Sequence, residues 1–591
     1  MNGNSDNHNM ATEYTKEVNK ACCSNAFLSQ ESDYKDTFVG FYADIHGNKN
    51  TKTQDELYND FKTMSEINES CPETVNPSYY RSTFFDKLQG VFEIIPNEIY
   101  QVRIRSMDFA NMTVVRGKTG WIIIDCMSTN KASKFAFELI KKTVEDVDVS
   151  AIIITHSHGD HYLGYGGVGT LVTPLYLPAL FKEMCFDETI IAGDAMTRRS
   201  DYMYGCYING ITHLVTEHES SQTEKRTSFP ISKNTTFIKE WCTLEIDGVN
   251  IEFLPTPGAE APSDMVQYIP KYHVLSTADN AMHFQHNLGS LRGTKVRSGK
   301  TWSGYLDEIL VRYGDDVQYQ FGGHDWHLVG KEKITTFLKT KRDLYKYIHD
   351  QTLRFANKGY NSTEIAEFLK LPKSLERLNV VVDSKKYVAG FGGPEKTLQL
   401  GQTAYTNGEY RWAATVLNHL VFSDKTNTEA RLLLAKTYDQ LAYQSECGSW
   451  SNNYSTAAFE LRNLNVKKPL SRAAAFHDLP LFAFADMMSV CINPKKIVEP
   501  EMSFKITYTD TKEQIVLIVS NGVVHLRRSG EVDCEITGKK NDVCDVFEKR
   551  VALDVAKEKG ILVVTQVDNA KTFIDALDIN TTYFSFIEPR D

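Results

Sequence analysis

The chain has 591 residues, 42% hydrophobic and 24% charged, with a formal net charge of −11. This length is too great for one hydrophobic core and predicts two to four domains. The negative charge argues against nucleic acid as a partner, because phosphate binding needs a basic face. No run of about 18 apolar residues occurs, so the sequence predicts no stable membrane insertion. The polar residues 1–9 and the eleven cysteines without regular spacing indicate reduced thiols and a cytoplasmic location.

The first 65 residues are polar and rich in Asn, Lys, Asp and Glu. Sustained hydrophobic periodicity appears only at 57–64. The sequence therefore predicts a polar N-terminal tail, mobile, with one helix.

From residue 66 to residue 335, short β-rich runs alternate with Gly and Pro. Strands are predicted at 99–104, 112–115, 120–124, 149–154, 171–172, 249–253 and 273–275, with a helix at 131–143. This alternation is typical of an α/β protein in which two packed sheets are covered by helices, an αββα sandwich.

Beyond residue 336 the pattern becomes helical. Apolar residues at three- and four-residue spacing predict helices at 333–358, 362–368, 404–421 and 428–441. A basic join containing a proline, at 466–469, leads to an α+β segment with strands at 502–509, 513–520 and 523–528 and a helix at 546–556.

One short segment carries most of the chemical information. His156, His158, Asp160 and His161 lie within six residues, directly after the apolar run 149–154. His156 and His158 can project to one side and hold one ion, while Asp160 and His161 can turn toward a second. Imidazole and carboxylate ligands suit zinc best, with iron or manganese as alternatives. A structural or chance cluster is the other interpretation, but two metals that activate water are typical of a metallohydrolase.

The motif and its flanks resemble the alkyl sulfatases of the metallo-β-lactamase superfamily, which hydrolyse dodecyl sulfate and similar esters. The resemblance is carried by TVNPS at 74–78, GWIIID at 120–125, PGAEAP at 257–262, NLGSLRG at 287–293 and GHDW at 323–326. It implies a metallo-β-lactamase-like catalytic domain at 66–335. An all-α dimerisation domain at 336–468 and an α+β sterol-carrier-protein-like domain at 469–591 would follow. The protein is then expected to be a homodimer.

The same resemblance implies two Zn²⁺ per subunit. One ion is held by His156, His158 and Glu260, and the other by Asp160, His161 and His324. Asp279 falls where the family has a bridging glutamate, and its shorter side chain keeps the charge but loses one methylene of reach. Asp160 and Asp279 are the expected catalytic residues. Glu260 separates alkyl sulfatases from ordinary metallo-β-lactamases, which have histidine at that position.

A sulfate ester is an anion, so its binding requires positive charge. Asn287 and Arg292 match the family's sulfate-binding pair, and an arginine can hold an oxyanion through two parallel hydrogen bonds. Tyr204 resembles a further sulfate contact. Lys295 and Arg297 either add positive field or lie in a solvated basic loop.

Other polar residues near these motifs have two readings each. Asp125 either supports a ligand or closes a turn. The pair His283 and His286 is better explained as residues that support the metal ligands or face the substrate than as a further metal pair. His327 stands where this sequence departs from the usual ending of the family's motif.

These observations predict zinc-dependent hydrolysis of a linear alkyl sulfate to an alcohol and inorganic sulfate. A hydrolase of the same fold that acts on a phosphate ester, lactone or thioester is an alternative, because function resides in the site and not in the fold. A noncatalytic lipid-binding protein is another. The helices could instead buttress a monomer, and the C-terminal strands could form ordinary core.

Overall fold

The computed structural model describes residues 10–23, 31–85, 87–206, 208, 229–230, 232–357, 365, 369, 394–424, 426–463, 476–493, 496, 501–520, 523–527, 529–577 and 587. The chain splits into two units, one formed by Met1–Met184, Arg199–Val466 and Phe584–Asp591 and the other by Cys185–Arg198 and Lys467–Tyr583. Most of the predicted helix at 362–368 and the join at 466–469 lie outside the described residues.

The larger unit contains a sheet whose strand order follows the chain. Its strands are β1 (Phe41–Asp44), β2 (Gly90–Ile95), β3 (Ile99–Arg103), β4 (Met112–Arg116), β5 (Trp121–Ile124), β6 (Val149–Ile153), β7 (Leu175–Pro178) and β8 (Thr235–Ile238). Neighbours from β1 to β5 pair antiparallel, and those from β5 to β8 pair parallel. All four side chains of β5 are buried, as expected for a β-branched, aromatic strand inside a sandwich.

A second sheet lies in the same unit. Its strands are β9 (Cys242–Ile246), β10 (Val249–Pro255), β11 (Met265–Ile269), β12 (Val274–Ser276), β13 (Tyr319–Phe321) and β14 (Leu328–Val329), in the order β14-β13-β12-β11-β10-β9. Only the β12–β13 pair is parallel among these described strands.

The two sheets share one hydrophobic core. Ile122 and Ile153 of the first sheet pack in the same buried cluster as Ile251, Phe253 and Val274 of the second. Side chains alternate along a strand, so each sheet sends one set of residues inward. The fold is the predicted metallo-β-lactamase-type sandwich, in which the two β layers meet face to face.

Helices cover the outer face of the second sheet. Trp302 and Leu306, from the helix Gly299–Tyr313, pack in one cluster with Val266 of β11 and Leu275 of β12. The other described helices of the larger unit's sandwich part are Ser32–Asp36, Gln54–Tyr58, Met64–Glu69, Pro77–Ser82, Asn130–Thr143, Gly159–Tyr162 and Lys331–Ala356. The helices Phe181–Phe186 and Gly193–Met203 each contain residues assigned to both units.

The N-terminal region differs from the predicted mobile tail. Tyr34, Phe38, Met64 and Ile67 are at most 2% exposed and belong to the same cluster as Trp302. Polar residues dominate the composition here, but the few apolar side chains are spaced so that each short helix has one buried face. Residues 31–69 are therefore part of the packed sandwich.

The helix Glu13–Cys23 is also tied to the rest of the larger unit. The backbone N–H of Thr12 and the hydroxyl of Thr15 donate to Oε1 of Gln440, at 3.0 and 2.8 Å. The Gln440 amide in turn donates to the carbonyl of Met10, so this helix is anchored at its start.

The helical part comprises Pro394–Thr406, Tyr410–Ser423, Thr428–Gln444 and Gly448–Arg462. The predicted continuous helix at 404–421 was wrong, because Gly408 has φ +76° and ends the preceding helix in the left-handed conformation that glycine adopts most readily. Leu417, Leu420 and Leu434 are fully buried in the core that these helices form.

In the smaller unit, β15 (Glu501–Tyr508), β16 (Gln514–Ser520), β17 (Val523–Arg527), β18 (Cys534–Gly538) and β19 (Leu562–Val564) form a sheet in the order β17-β16-β15-β18-β19. Its described helices are Leu481–Cys491, Lys540–Phe547, Leu553–Glu558 and Val567–Ala576. The predicted single helix at 546–556 was wrong, because Lys549 has φ +59° and breaks the run. Phe504 stacks on Phe573, with ring centroids 4.8 Å apart.

The predicted strand at 171–172 was also wrong. Leu171 and Val172 are 60% and 63% exposed and lie in a turn. The hydroxyl of Thr170 accepts hydrogen bonds from the backbone N–H groups of Val172 and Thr173, a local pairing that competes with strand formation. Among the described residues, none of the helices is both long and apolar enough to cross a membrane.

Candidate metal centre

The candidate ligands lie on four segments that follow strands at one edge of the two sheets, and Asp160 and His161 belong to the short helix Gly159–Tyr162. His156, His158, Asp160 and His161 follow β6, Glu260 follows β10, Asp279 follows β12, and His324 follows β13. The loops are joined by backbone hydrogen bonds, among them Met265 N–H to the Thr155 carbonyl at 3.0 Å. Residues distant in the sequence are thereby held at one place.

The first group of donors consists of His156, His158 and Glu260. Oε2 of Glu260 lies 2.9 Å from Nδ1 of His158 and 3.5 Å from Nε2 of His156. All three residues are at most 5% exposed, and their donor atoms lie close enough together to hold one cation.

The second group consists of Asp160, His161 and His324. Oδ2 of Asp160 lies 3.2 Å from Nε2 of His161 and 3.2 Å from Nε2 of His324. These are also distances at which a single ion can bind all three groups.

Asp279 lies between the two groups. Its Oδ2 is 3.2 Å from Nε2 of His324, 3.5 Å from Nε2 of His161 and 3.9 Å from Nε2 of His156. The shorter side chain therefore still reaches histidines of both groups. The preceding residue, Ala278, has a left-handed backbone with φ +48°.

Hydrogen bonds orient three of the imidazoles from behind. Nδ1 of His161 lies 2.8 Å from Oδ2 of Asp125, Nδ1 of His324 lies 2.9 Å from the carbonyl of Phe109, and Nδ1 of His156 lies 2.9 Å from the hydroxyl of Thr155. Engaging Nδ1 leaves Nε2 for a metal, which is how supporting groups usually fix a metal-binding histidine.

Asp125 thus has both roles that the sequence leaves open. It follows β5 with a left-handed φ of +62°, and it supports His161 while accepting the N–H and hydroxyl of Thr155 at 2.8 Å each. The interaction with His161 makes it a support of the donor set.

The donor atoms fit a metal in two respects. Nε2 of His156 and of His161 and Oε2 of Glu260 are buried, and no hydrogen bond of good geometry satisfies them within the described part of the chain. Zinc bonds of about 2.1 Å place neighbouring tetrahedral ligands about 3.4 Å apart, close to the 3.5 Å between His156 Nε2 and Glu260 Oε2. Buried polar atoms are rarely left unsatisfied without a reason.

The carboxylates of the site remain ionised. Burial by itself would raise the pKa of Asp160 and of Asp279, but His161 and His324 hold both pKa values well below their usual range. Burial would likewise raise the pKa of Glu260, and Arg297 and His158 outweigh it and hold that pKa low. Anionic oxygens are the form that binds a cation.

Asp264 behaves in the opposite way. Burial and the nearby Glu260 charge raise its pKa well above the usual range. Both of its oxygens lie 3.1 Å from Nδ2 of Asn280, and its backbone pairs with His156 in an isolated bridge. The sequence pattern did not single out this residue, because nothing local marks an aspartate as buried.

The predicted anion-binding residues lie next to the donor groups. Oδ1 of Asn287 accepts a hydrogen bond from Arg297 at 2.6 Å, and Arg297 also donates to Oε1 of Glu260 at 2.5 Å. Burial raises the pKa of Tyr204, the charge of Asp160 raises it further, and the opposing charge of Arg292 does not cancel these effects. The Tyr204 hydroxyl therefore stays protonated.

The remaining histidines take different places. Nε2 of His286 lies 3.0 Å from Oε1 of Glu260, which puts this residue beside the donor set. His283 stacks on Trp326 with ring centroids 3.7 Å apart, and Nδ1 of His327 accepts from Arg103 at 2.9 Å. His283 and His286 therefore do not converge on a common ion, since their ring nitrogens have separate partners.

Arg297 lies beside the candidate donors, at a place that the sequence left undecided. It is 7% exposed and is not part of a solvated loop, whereas Lys295 is exposed. Its place ten residues after Asn287 and five after Arg292 is the only sequence signal, and that spacing does not reveal which groups meet it.

Comparison with known proteins identifies the family of this chain. The family models for the metallo-β-lactamase superfamily, alkyl sulfatase dimerisation and alkyl sulfatase C-terminal match residues 106–171, 358–464 and 469–589. A linear primary-alkylsulfatase of a Pseudomonas species is 31% identical, over 98% of this chain and 93% of its own length. The chain belongs to the alkyl sulfatase family.

Two further relatives support this assignment. The alkyl/aryl-sulfatase BDS1 of Saccharomyces cerevisiae is 32% identical over 79% of each chain. The solved structure of the inverting sec-alkylsulfatase Pisa1 from a Pseudomonas species superposes with a TM-score of 0.85 at 28% identity, covering 98% of this chain and 99% of the other. The family is one of hydrolases that act on sulfuric ester bonds, and its superfamily membership implies metal binding.

Proposed function

We propose that the protein hydrolyses alkyl sulfate esters of the dodecyl sulfate type to an alcohol and inorganic sulfate. The observation that carries the proposal is the connection between the anion-binding loop and the metal donors. Asn287 and Glu260 are hydrogen-bonded to the same guanidinium, that of Arg297. A site that combines a metal cluster with an anion-binding asparagine and arginine fits a charged ester.

We propose two Zn²⁺ per subunit as the cofactors. His156, His158 and Glu260 would hold one ion, Asp160, His161 and His324 would hold the other, and Asp279 would contact both. When bound, the ions would lower the pKa of water to about 7 and stabilise developing negative charge.

The chain's own residues would then bind and orient the sulfate group. The guanidinium of Arg292, the Nδ2 amide group of Asn287 and the hydroxyl of Tyr204 donate hydrogen bonds to its oxygens. These donors offset the repulsion that the ionised carboxylates exert on an anionic substrate. The half-buried Tyr204 remains protonated because its pKa is raised, so it can act as a donor.

Asp160 and Asp279 are proposed as the catalytic residues. Both carboxylates stay ionised, and as ligands of the two ions they would orient the attacking water. The water oxygen forms the new bond, the ester bond breaks, and the proton ends on the alcohol oxygen or in solvent. Solvent-oxygen tracing distinguishes attack at carbon from attack at sulfur, because labelled oxygen appears in the alcohol or in the sulfate.

Binding of the alkyl chain should depend on its length. Each buried methylene contributes about 0.8 kcal/mol, so longer alkyl sulfates are expected to bind more tightly until the apolar surface ends.

The proposal is tested by inorganic sulfate release from dodecyl sulfate by the zinc-loaded protein. A chelator-stripped sample and a matched dodecyl phosphate assay are the controls. Sulfate release that requires zinc and spares the phosphate ester is the expected result. Phosphate release without sulfate release would favour another hydrolase of the fold, and no release from any chain length, with two metals bound, would contradict the proposal.

The assembly and the remaining domains are proposed on the family match. We propose a homodimer formed through the helical domain at 336–468, a sterol-carrier-protein-like domain at 469–591 and a cytoplasmic location. Sedimentation of the full-length protein tests the first, and a monomer at micromolar concentration would contradict it. A lipid cavity would have to lie outside the packed aromatic core, where Phe484 and Phe547 have centroids 5.3 Å apart.

A further inference from the structure

A buried guanidinium connects a metal ligand with a sulfate-binding residue. The side chain of Arg297 is 4% exposed and makes four hydrogen bonds. Nε donates to the backbone carbonyl of Glu260, and Nη2 donates to Oε1 of Glu260 at 2.5 Å. Nη1 donates to both oxygens of Asn287, at 2.6 Å to Oδ1 and 3.0 Å to the backbone carbonyl.

The contacts to Glu260 determine which of its oxygens faces the metal donors. Oε1 is engaged by Arg297 and lies 3.0 Å from Nε2 of His286. Oε2 is thereby left toward His158 and His156, 2.9 and 3.5 Å away. Because Arg297 binds the backbone and the carboxylate of the same residue, the flexible glutamate side chain is held in one rotamer.

The contacts to Asn287 determine the orientation of its amide. An asparagine amide has one acceptor end and one donor end. Arg297 occupies the acceptor end, Oδ1, and so the donor end, Nδ2, is the group presented for an oxyanion. An amide flipped by 180° would place its NH₂ against a guanidinium and leave two donors facing each other.

We propose that Arg297 is a positioning residue that sets both the metal-binding oxygen of Glu260 and the sulfate-binding amide of Asn287. The inference rests on the proposed function and deepens it, because one side chain couples metal affinity to sulfate affinity. Lysine is no substitute, since a single ammonium cannot reproduce the planar fork that spans the two residues.

Arg297→Lys is the main test, measured in the full-length zinc-loaded protein. Four quantities are compared with the wild type: zinc affinity by chelator competition, the inhibition constant of inorganic sulfate, and kcat and KM for dodecyl sulfate. Lys295→Met is the control for local charge, because it removes a positive charge from an exposed side chain two residues away, whereas Arg297→Lys keeps the charge and changes only the geometry of the donor group. Circular dichroism and the melting temperature establish that each variant is folded.

The expected result for Arg297→Lys is a loss of both zinc affinity and sulfate affinity. Zinc affinity falls about 10- to 100-fold, as when a supporting group of a metal ligand is removed. Inhibition by sulfate weakens about tenfold or more, and kcat/KM falls about 100-fold. Lys295→Met changes each quantity less than threefold. Zinc and sulfate affinities in Arg297→Lys within threefold of the wild type would overturn the inference.

A double-mutant comparison separates positioning from a general structural role. Asn287→Asp keeps an oxygen for Arg297 but removes the Nδ2 donor, so sulfate inhibition weakens while zinc affinity stays unchanged. Its effect on sulfate inhibition should shrink in the Arg297→Lys background, because the two residues act as one unit. Strictly additive losses would contradict the coupling. If the lysine variant does not fold, Arg297→Gln is used for the same test, since glutamine can contact only one of the two residues Glu260 and Asn287.

The two proposals can fail separately. If the wild-type protein releases no sulfate from any alkyl sulfate, the proposed function fails, and the zinc affinity of Arg297→Lys still tests the contact to Glu260. If the wild type is active and the variant is unchanged, the positioning role fails and the function stands.

Discussion

Gly323 lies where a single methyl group would disturb two candidate metal ligands at once. A Cβ at this position would be 2.5 Å from Oδ1 of Asp279 and 2.5 Å from Cε1 of His161. Gly323 cannot easily move away, because its carbonyl accepts from Asn111 N–H at 2.7 Å and its N–H donates to the Ala278 carbonyl at 3.0 Å. Gly323→Ala therefore tests how rigidly the donors are held.

The displacement can be estimated from these distances. Ordinary contacts between carbon atoms begin at about 3.5 Å. Removing the two 2.5 Å contacts of the new Cβ therefore requires movements of about 1 Å at Asp279, at His161 or in the backbone of residue 323. A misplacement of about 1 Å in a catalytic arrangement can lower the rate about 100-fold. We expect kcat/KM for dodecyl sulfate to fall by about that factor and zinc affinity to fall in parallel.

Two glycine variants serve as controls. Gly304 lies in an exposed helical position, and a Cβ added there would have no neighbouring atom within 4 Å. Gly304→Ala should therefore leave activity unchanged. Gly322→Ala brings its Cβ no closer than 3.1 Å to a neighbour, the Ala278 carbonyl oxygen, and should have an intermediate effect.

The assay combines sulfate release with the zinc content after equilibration against a chelator. The expected order of loss is Gly323→Ala first, Gly322→Ala second and Gly304→Ala last. A Gly323→Ala protein that keeps wild-type zinc affinity and activity would refute the reasoning, because it would show that the ligands have room to move.

Three other substitutions test the surroundings of the site. Asp125→Asn should lower zinc affinity about 10- to 100-fold, measured by chelator competition, because it removes the carboxylate behind His161; unchanged affinity would contradict this role. Trp302→Phe should lower the free energy of unfolding by about 1–3 kcal/mol in urea titrations, because the Asn280 carbonyl loses a buried donor at 2.9 Å; an unchanged midpoint would argue against it. Burial lowers the pKa of His283 to about 3. At a pH below the unfolded-state pKa of about 6.5 only the unfolded chain takes up the proton, so the free energy of unfolding decreases as the pH is lowered. His283→Gln should therefore lose about 1.3 kcal/mol less unfolding free energy than the wild type between pH 7 and pH 5.5, and equal losses in the two proteins would show that His283 does not contribute.

Much of the fold could be predicted from local patterns. The strands at 120–124 and 149–154 are short β-branched runs, and the structure has strands at Trp121–Ile124 and Val149–Ile153. The predictions failed where tertiary packing or a single backbone angle decides. Leu171 and Val172 are apolar but lie in an exposed turn, and Lys549 interrupts a periodic segment by adopting a positive φ.

The candidate site divides in the same way. His156, His158, Asp160 and His161 stand close together in the chain, so their spacing already predicts two groups of ligands. Glu260, Asp279 and His324 were assigned by family resemblance, and the structure brings them to the same edge of the sandwich. Arg297 could not be assigned at all, because its partners Glu260 and Asn287 meet it only after the loops pack.

The sequence by itself determined which metal-binding and anion-binding side chains are available, and local spacing grouped His156, His158, Asp160 and His161 as candidate donors. The tertiary structure alone decided how those groups are oriented: which nitrogen of His161 is engaged by Asp125, which oxygen of Glu260 is engaged by Arg297, and how far Asp279 reaches. The physical reason is that orientation depends on hydrogen bonds between loops far apart in the chain, and these exist only when the two sheets are packed.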